Sequence, residues 1–264
     1  MLRILDARTG EPVDAALARR GLVRVHASPP GSGFTSLRVL LVADVLMRAL
    51  EIGGNPAWAT LTSAPDPAET PDPAETEDRT APGSRDASWG EAGLRARAAE
   101  LGIRPFEDHR DTEPGPEATR TIDVVAQGAE ATAGPRVEVA RVDTGHGSAD
   151  VPGDSTALRL ALLARRRDLP LSLDTEVLAE AEDTLRRWRA AVAGWATRPS
   201  KPIPEDVRLR LRAAWEDDLD VPAVLDVLRS VETSGIPEGA RFETYAHADR
   251  LLGLELTREI GASL

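Results

Sequence analysis

Cysteine is absent from the sequence. No disulfide can form, and no thiolate is available to hold a structural zinc ion. The four histidines, His26, His109, His146 and His247, are too scattered to replace such ligands, so no zinc is expected. Lysine occurs once, at Lys201, and the basic residues are otherwise arginine. No apolar run approaches the roughly 20 residues that span a bilayer, and the N-terminus lacks the basic, apolar and small-residue order of a signal peptide. The expectation is a cytoplasmic protein without a membrane segment. Positive charge is also short: the formal net charge is −12 and the isoelectric point about 4.9, a field that repels a phosphate backbone and makes tRNA an unexpected partner.

What is present suffices for one large domain or two modest ones, with 264 residues and a core that needs no staples. Residues 21 to 27 (GLVRVHA) alternate and carry β-branched residues, a strand pattern ended by SPPGSG. From Thr35 or Ser36 the run SLRVLLVADVLMRALEIGG has apolar positions at helical spacing and closes on Gly53 and Gly54. The next strand is expected within 55 to 61 (NPAWATL). Strand, glycine loop, helix and strand make the opening unit of a parallel nucleotide-binding fold.

Residues 64 to 88 contain PDPAET twice in tandem and almost nothing to bury, which predicts a disordered acidic, Pro-rich loop. A helix is expected over 89 to 101, then strands in TIDVVAQGAE and PRVEVARVD. After Pro152 the texture is helical, with Ser155 and Asp174 as candidate N-caps and further helices near 204–215, 221–231 and 240–252. The expected division is a Rossmann-like domain over 1–150 and an α-helical bundle over 151–264.

Four local features invite chemistry. SPPGSGFTSLR lies where a parallel fold places a phosphate-binding turn, yet its glycines match neither G-x-G-x-x-G nor a Walker loop, and a plain surface turn explains it as well. His146, within DTGHGS, is either an acid/base or a loop histidine, with nothing else of a nucleophilic triad accompanying it. The acidic cluster Glu216, Asp217, Asp218 and Asp220 reads as a solvated helix end or a cation site. Trp188, Trp195 and Trp215 lie on expected helices, where packing accounts for them.

Several stretches resemble cysteinyl-tRNA synthetases, class I enzymes, and the related cysteine ligase of mycothiol biosynthesis. LRILDARTGEPV is similar to the family's opening strand, and RVLLVADVLMRALEIGG to the helix after its first signature motif, with Asp44, Val45, Leu46 and Arg48 in the matching pattern. STALRLALLARRRDLPLSLDTEVLAEAEDTLRRW and AAWEDDLDVPAVLDVL resemble its later helices. The resemblance implies a class I synthetase-like, doubly wound parallel sheet followed by a helical bundle.

The departures bear on chemistry. The family's zinc-bound cysteine at the end of the first strand corresponds to Ala27-Ser28-Pro29, and its HIGH-type histidines to Gly33, Phe34, Thr35 and Ser36. No KMSKS-type lysines occur in DTGHGSADVPGD, which precedes the helix at Ser155. In the second-half strand Asp123 and Gly128 keep their identities, while Val125 takes a histidine's place. The insertion carrying further zinc ligands is expected to be missing or reduced to the acidic loop, and an anticodon-reading domain to be absent.

Three functions follow from the resemblance. One is a catalytically degenerate paralogue acting as a binding or regulatory module, with a protein partner. Another is retained binding of an adenosine-containing ligand, ATP or AMP. The third is an active ATP-dependent ligase with a rebuilt site. A persisting nucleotide pocket would use Pro30, Gly31, Gly33 and Thr35, the strand end at Asp123 and Gly128, and Arg38, Arg141 and His146 in place of the lost cations.

Overall fold

Strands VRVHAS and RVEV alternate buried and partly exposed residues, while RTIDVVA buries four in a row as a central parallel strand does, and together they build the central sheet. The computed structural model describes residues 1–16, 21–62, 89–108, 120–129, 134–144 and 154–262. Strands β3 (Val23–Ser28), β4 (Ala57–Leu61), β5 (Glu107–Asp108), β6 (Arg120–Ala126) and β7 (Arg136–Val139) form a five-stranded sheet in the order β5-β4-β3-β6-β7, with every pair parallel. Helix α1 (Phe34–Ile52) joins β3 to β4, and α2 (Gly90–Glu100) lies between β4 and β5. The chain then crosses back to place β6 on the other side of β3. This is a Rossmann-like α/β arrangement, and its strand order reverses between β3 and β6.

Helix α1 is apolar nearly all round because it is covered nearly all round. It contacts β3, β4, β6 and β7 below, and α2 and α7 on its other sides. Its buried residues include three that are not apolar, Ser36, Arg38 and Asp44. Val23, Val25, Ala27, Ile122, Val124 and Val137, all with no solvent contact, belong to the same buried core as this helix.

Helices α3 (Ser155–Leu163), α4 (Thr175–Trp195), α5 (Glu205–Glu216), α6 (Val221–Glu232) and α7 (Glu238–Leu252) follow. Asp174 caps α4 as the sequence suggests, accepting from Val177 N at 2.9 Å. The cap of α3 is Asp154 rather than Ser155, since its carboxylate accepts from Thr156 N at 3.0 Å. Trp188, Trp195 and Trp215 are buried, and Tyr245 meets Trp188 and Trp195 edge-on at 5.7 and 5.2 Å. One apolar core runs from the sheet through these helices.

Three strand assignments differ from the sequence reading. LRILDARTGEPV makes an antiparallel hairpin, β1 (Arg3–Asp6) and β2 (Glu11–Asp14), outside the five-stranded sheet. PRVEVARVD is two strands rather than one. At Ala140 the chain leaves the sheet, because its N–H donates to Arg167 O at 2.7 Å and its carbonyl accepts from Arg38 at 3.2 Å. Strand β8 (Val142–Thr144) then pairs in parallel with β9 (Leu171–Leu173), a strand inside the stretch expected to be helical. The tandem repeat of 64–88 and His146 lie outside the described residues.

Candidate functional site at the carboxyl edge of the sheet

In open parallel sheets the crevice beyond the carboxyl ends of the strands, where their order reverses, is the place where ligands bind. Here that point lies above Ser28 of β3 and Val125 of β6, which face each other in register. Pro29 to Gly33 lead from β3 into α1. The loop is held by its own serines: Gly31 N donates to Ser36 Oγ at 3.1 Å, and Gly90 N to Ser32 Oγ at 3.1 Å. Trp89 packs edge-on against Phe34 at 4.8 Å and so ties α2 to the start of α1. Gly33 is the N-cap of α1 and supplies no side-chain cap, which leaves the first-turn amides to other acceptors.

The residues singled out from the sequence are distributed unevenly. Pro30, Gly31, Gly33 and Thr35 are together at the crossover. Thr35 Oγ1 accepts from Val142 N at 3.1 Å, which brings the first turn of α1 against β8 and its neighbour Arg141. Arg141 is 74% exposed and pairs with Asp143 at 3.2 Å. Gly128 ends the turn after β6 with φ of 80°, a left-handed conformation suited to glycine. Asp123 sits lower on β6, in register with His26, and is 5% exposed.

Arg38 takes a different position. Its guanidinium is buried beneath the loop after α3, where Nη1 donates to Ala140 O and Leu169 O at 3.2 and 2.9 Å. Nη2 donates to Arg165 O and Arg166 O at 3.0 and 2.8 Å. Burial, with Arg165 nearby and Asp168 opposing, brings its pKa down to about 10. Three members of the acidic cluster are likewise engaged. Glu216 meets the N-terminal amine at 2.8 Å, Asp218 accepts from Leu5 N at 2.7 Å and pairs with Arg167, and Asp220 caps α6.

Sequence reading counted His26 only as one of four scattered histidines. In the fold it stands at the carboxyl end of β3 between two hydroxyls, Nδ1 at 2.9 Å from Thr60 Oγ1 and Nε2 at 3.0 Å from Thr62 Oγ1. The alternation VRVHAS already placed it on the face opposite Val25. Among the described residues no three His, Asp or Glu side chains gather at metal-ligand spacing, and no helix is long and apolar enough to cross a membrane.

Comparison with known proteins finds similarity over part of the chain. No family model matches. A protein of Streptomyces griseus subsp. griseus named L-cysteine:1D-myo-inositol 2-amino-2-deoxy-alpha-D-glucopyranoside ligase is 42% identical over 109 residues, 39% of this chain and 25% of that protein. Proteins of the same name from Streptosporangium roseum and Rhodococcus jostii are 39% and 37% identical over 108 and 112 residues. These alignments take in 39% and 40% of this chain, and 26% of each relative. The chain thus spans about a quarter of the length of the curated relatives it matches. Over about two-fifths of its residues it is similar to these cysteine ligases, and its ancestry is ligase-related.

Proposed function

We propose that this chain is a catalytically degenerate relative of the cysteine ligases that acts as a binding or regulatory module rather than as an adenylating enzyme. The observation that carries the reading is the composition of the crossover. Adenylate formation needs positive charge on the α-phosphate and on the departing pyrophosphate, supplied by preorganised cations that act most strongly in the transition state. The loop and first turn from Ala27 to Leu37 contain neither histidine nor lysine, and Lys201 lies in the connection between α4 and α5. The chain has no cysteine, and no ligand set gathers among the described residues to hold a thiol-selecting zinc. The test is amino-acid-dependent exchange of pyrophosphate into ATP. The expected result is no exchange above background with cysteine or any other proteinogenic amino acid. Robust exchange abolished by Arg141→Ala or His146→Ala would favour a rebuilt site.

A second reading, retained binding of ATP or AMP, has one feature in its favour. The start of α1 has no side-chain cap and stands where the sheet order reverses. In this reading the first-turn amides of α1 that follow Gly33 meet a phosphate above the Pro30 to Gly33 loop, Thr35 borders it, and Asp123 and Gly128 flank the nucleoside. Ligand that binds only the native state raises the melting temperature, so a thermal-shift titration with ATP, AMP and aminoacyl-sulfamoyl adenosines separates the two. A saturable rise supports the second reading, and its absence supports a protein partner.

A further inference from the structure

The two hydroxyls that hold the ring of His26 differ in what they meet. Thr60 stands in register with His26 on β4, has no solvent contact, and places Oγ1 at 2.9 Å from Nδ1. Thr62, two residues further on and so on the same side of the sheet, places Oγ1 at 3.0 Å from Nε2 and is exposed. His26 between them is half-buried. Burial therefore falls along the row Thr60, His26, Thr62, from a closed end to an open one.

This row lies on the face of the sheet that α1 does not cover. Val23, Val25 and Ala27 turn into the core with α1, so Arg24, His26 and Ser28 take the other face. Arg24 stacks there over Trp58, its register partner on β4, at 5.1 Å. The charged neighbours of the row on this face are Arg24 on β3, Asp123 in register with His26 on β6, and Glu107 in register with Thr60 on β5. Thr62 N donates to Ala27 O at 3.0 Å, which fixes Thr62 at the carboxyl edge beside Ser28.

A hydroxyl gains nucleophilic strength when a base within hydrogen-bond reach takes its proton and a third group orients that base. Neutral imidazole has one N–H donor and one acceptor nitrogen. With the N–H at Nδ1 directed to Thr60, Nε2 is the nitrogen that accepts from Thr62. We propose that Thr62 is an acyl-acceptor site for activated carboxylic esters, with His26 as its general base and Thr60 as a positioning residue. Thr62 Oγ1 attacks the carbonyl carbon and its proton passes to His26 Nε2. The bond from that carbon to the leaving oxygen then breaks, the leaving group takes the electron pair, and His26 returns the proton to it. The product is an ester on Thr62. This step is separate from adenylation and holds whether or not a nucleotide binds at the crossover.

The test is incubation of the full chain with p-nitrophenyl acetate, with the acetylated residue located by mass spectrometry of its peptides. Competing nucleophiles are few, because cysteine is absent and Lys201 is the one lysine. The expected result is an acetyl group on Thr62, formed at a rate that rises with pH as one histidine loses its proton. Thr62→Val abolishes labelling at that position and Thr62→Ser restores it. His26→Gln slows it by about a hundredfold, the scale of a general base. Thr60→Val shifts the pH profile and Thr60→Ser returns it, a response that a purely structural hydroxyl would not give. Should His26→Gln fail to fold, the pH profile and the Thr62 pair decide. No acetyl group on position 62, or labelling there that is indifferent to pH and to His26→Gln, would overturn the proposal.

Discussion

Asp44 on α1 has no solvent contact, and three arginines converge on its carboxylate. Arg48 and Arg159 each approach Oδ2 at 2.8 Å, and Arg104 approaches Oδ1 at 3.0 Å. Burial alone would raise its pKa, but Arg159, Arg48 and Arg104 outweigh burial and hold the carboxyl below its usual range. Arg159, itself fully buried, also donates to Leu252 O at 2.6 Å and Leu101 O at 3.0 Å, so one aspartate fastens α1, the end of α2, α3 and the end of α7. Removing one partner of such a cluster leaves uncompensated buried charge. Asp44→Asn is therefore expected to destabilise the fold by about 3–5 kcal/mol. Urea denaturation measures this, and a loss below about 1 kcal/mol, the scale of an exposed ion pair, would show the cluster to be solvated. The Asp44 and Arg48 pattern was visible in the sequence, whereas Arg159 and Arg104 were not. Their meeting with Asp44 depends on contacts 115 and 60 residues apart, which no local spacing encodes.

At the scale of the element, the long apolar run of α1 and the strands around Val25 and Ile122 were legible because each is periodic over its own length. The division of PRVEVARVD into β7 and β8 was not. Its alternation is continuous, and the break at Ala140 is imposed by Arg38 and Arg167 from elsewhere in the chain. Strand β9 was hidden for another reason: Leu171–Leu173 is three residues long and exists only because β8 pairs with it. Position in the family pattern likewise suggested Arg38 for a nucleotide pocket, and its four carbonyl partners, spread over residues 140–169, could not be foreseen.

Asp154 gives this scale its prediction. It caps α3 and meets Arg189 of α4 at 2.6 Å. Burial opposes ionisation, but Arg189 and Thr156 prevail and bring its pKa down to about 2. The unfolded chain, with aspartate near 3.9, binds the proton first as acid is added. The stabilisation from this group is therefore complete above about pH 4 and is lost as pH falls towards about 2. Asp154→Asn should lower stability at neutral pH and flatten its decline over about pH 4 to 2, read from urea midpoints across that range. An unchanged acid slope in the variant would show that Asp154 contributes nothing to the decline.

For the whole molecule, the sheet, its crossover and the packed helices form a Rossmann-like scaffold whose ligase-related ancestry is shared with enzymes named for joining L-cysteine to an amino sugar. The scaffold was readable from periodicity and family resemblance. The chemistry at the crossover was readable only as residues that are not there, since a loop of serine, proline and glycine fits a phosphate or a simple turn equally well. The reading of a degenerate site rests on the shortage of positive charge at that point. Its most direct measurement is AMP formation from ATP by the purified chain supplied with L-cysteine and the amino-sugar acceptor of its relatives, followed by ³¹P NMR. The account predicts that ATP stays intact at the rate of the protein-free control. AMP and pyrophosphate accumulating in a cysteine-dependent manner would contradict it.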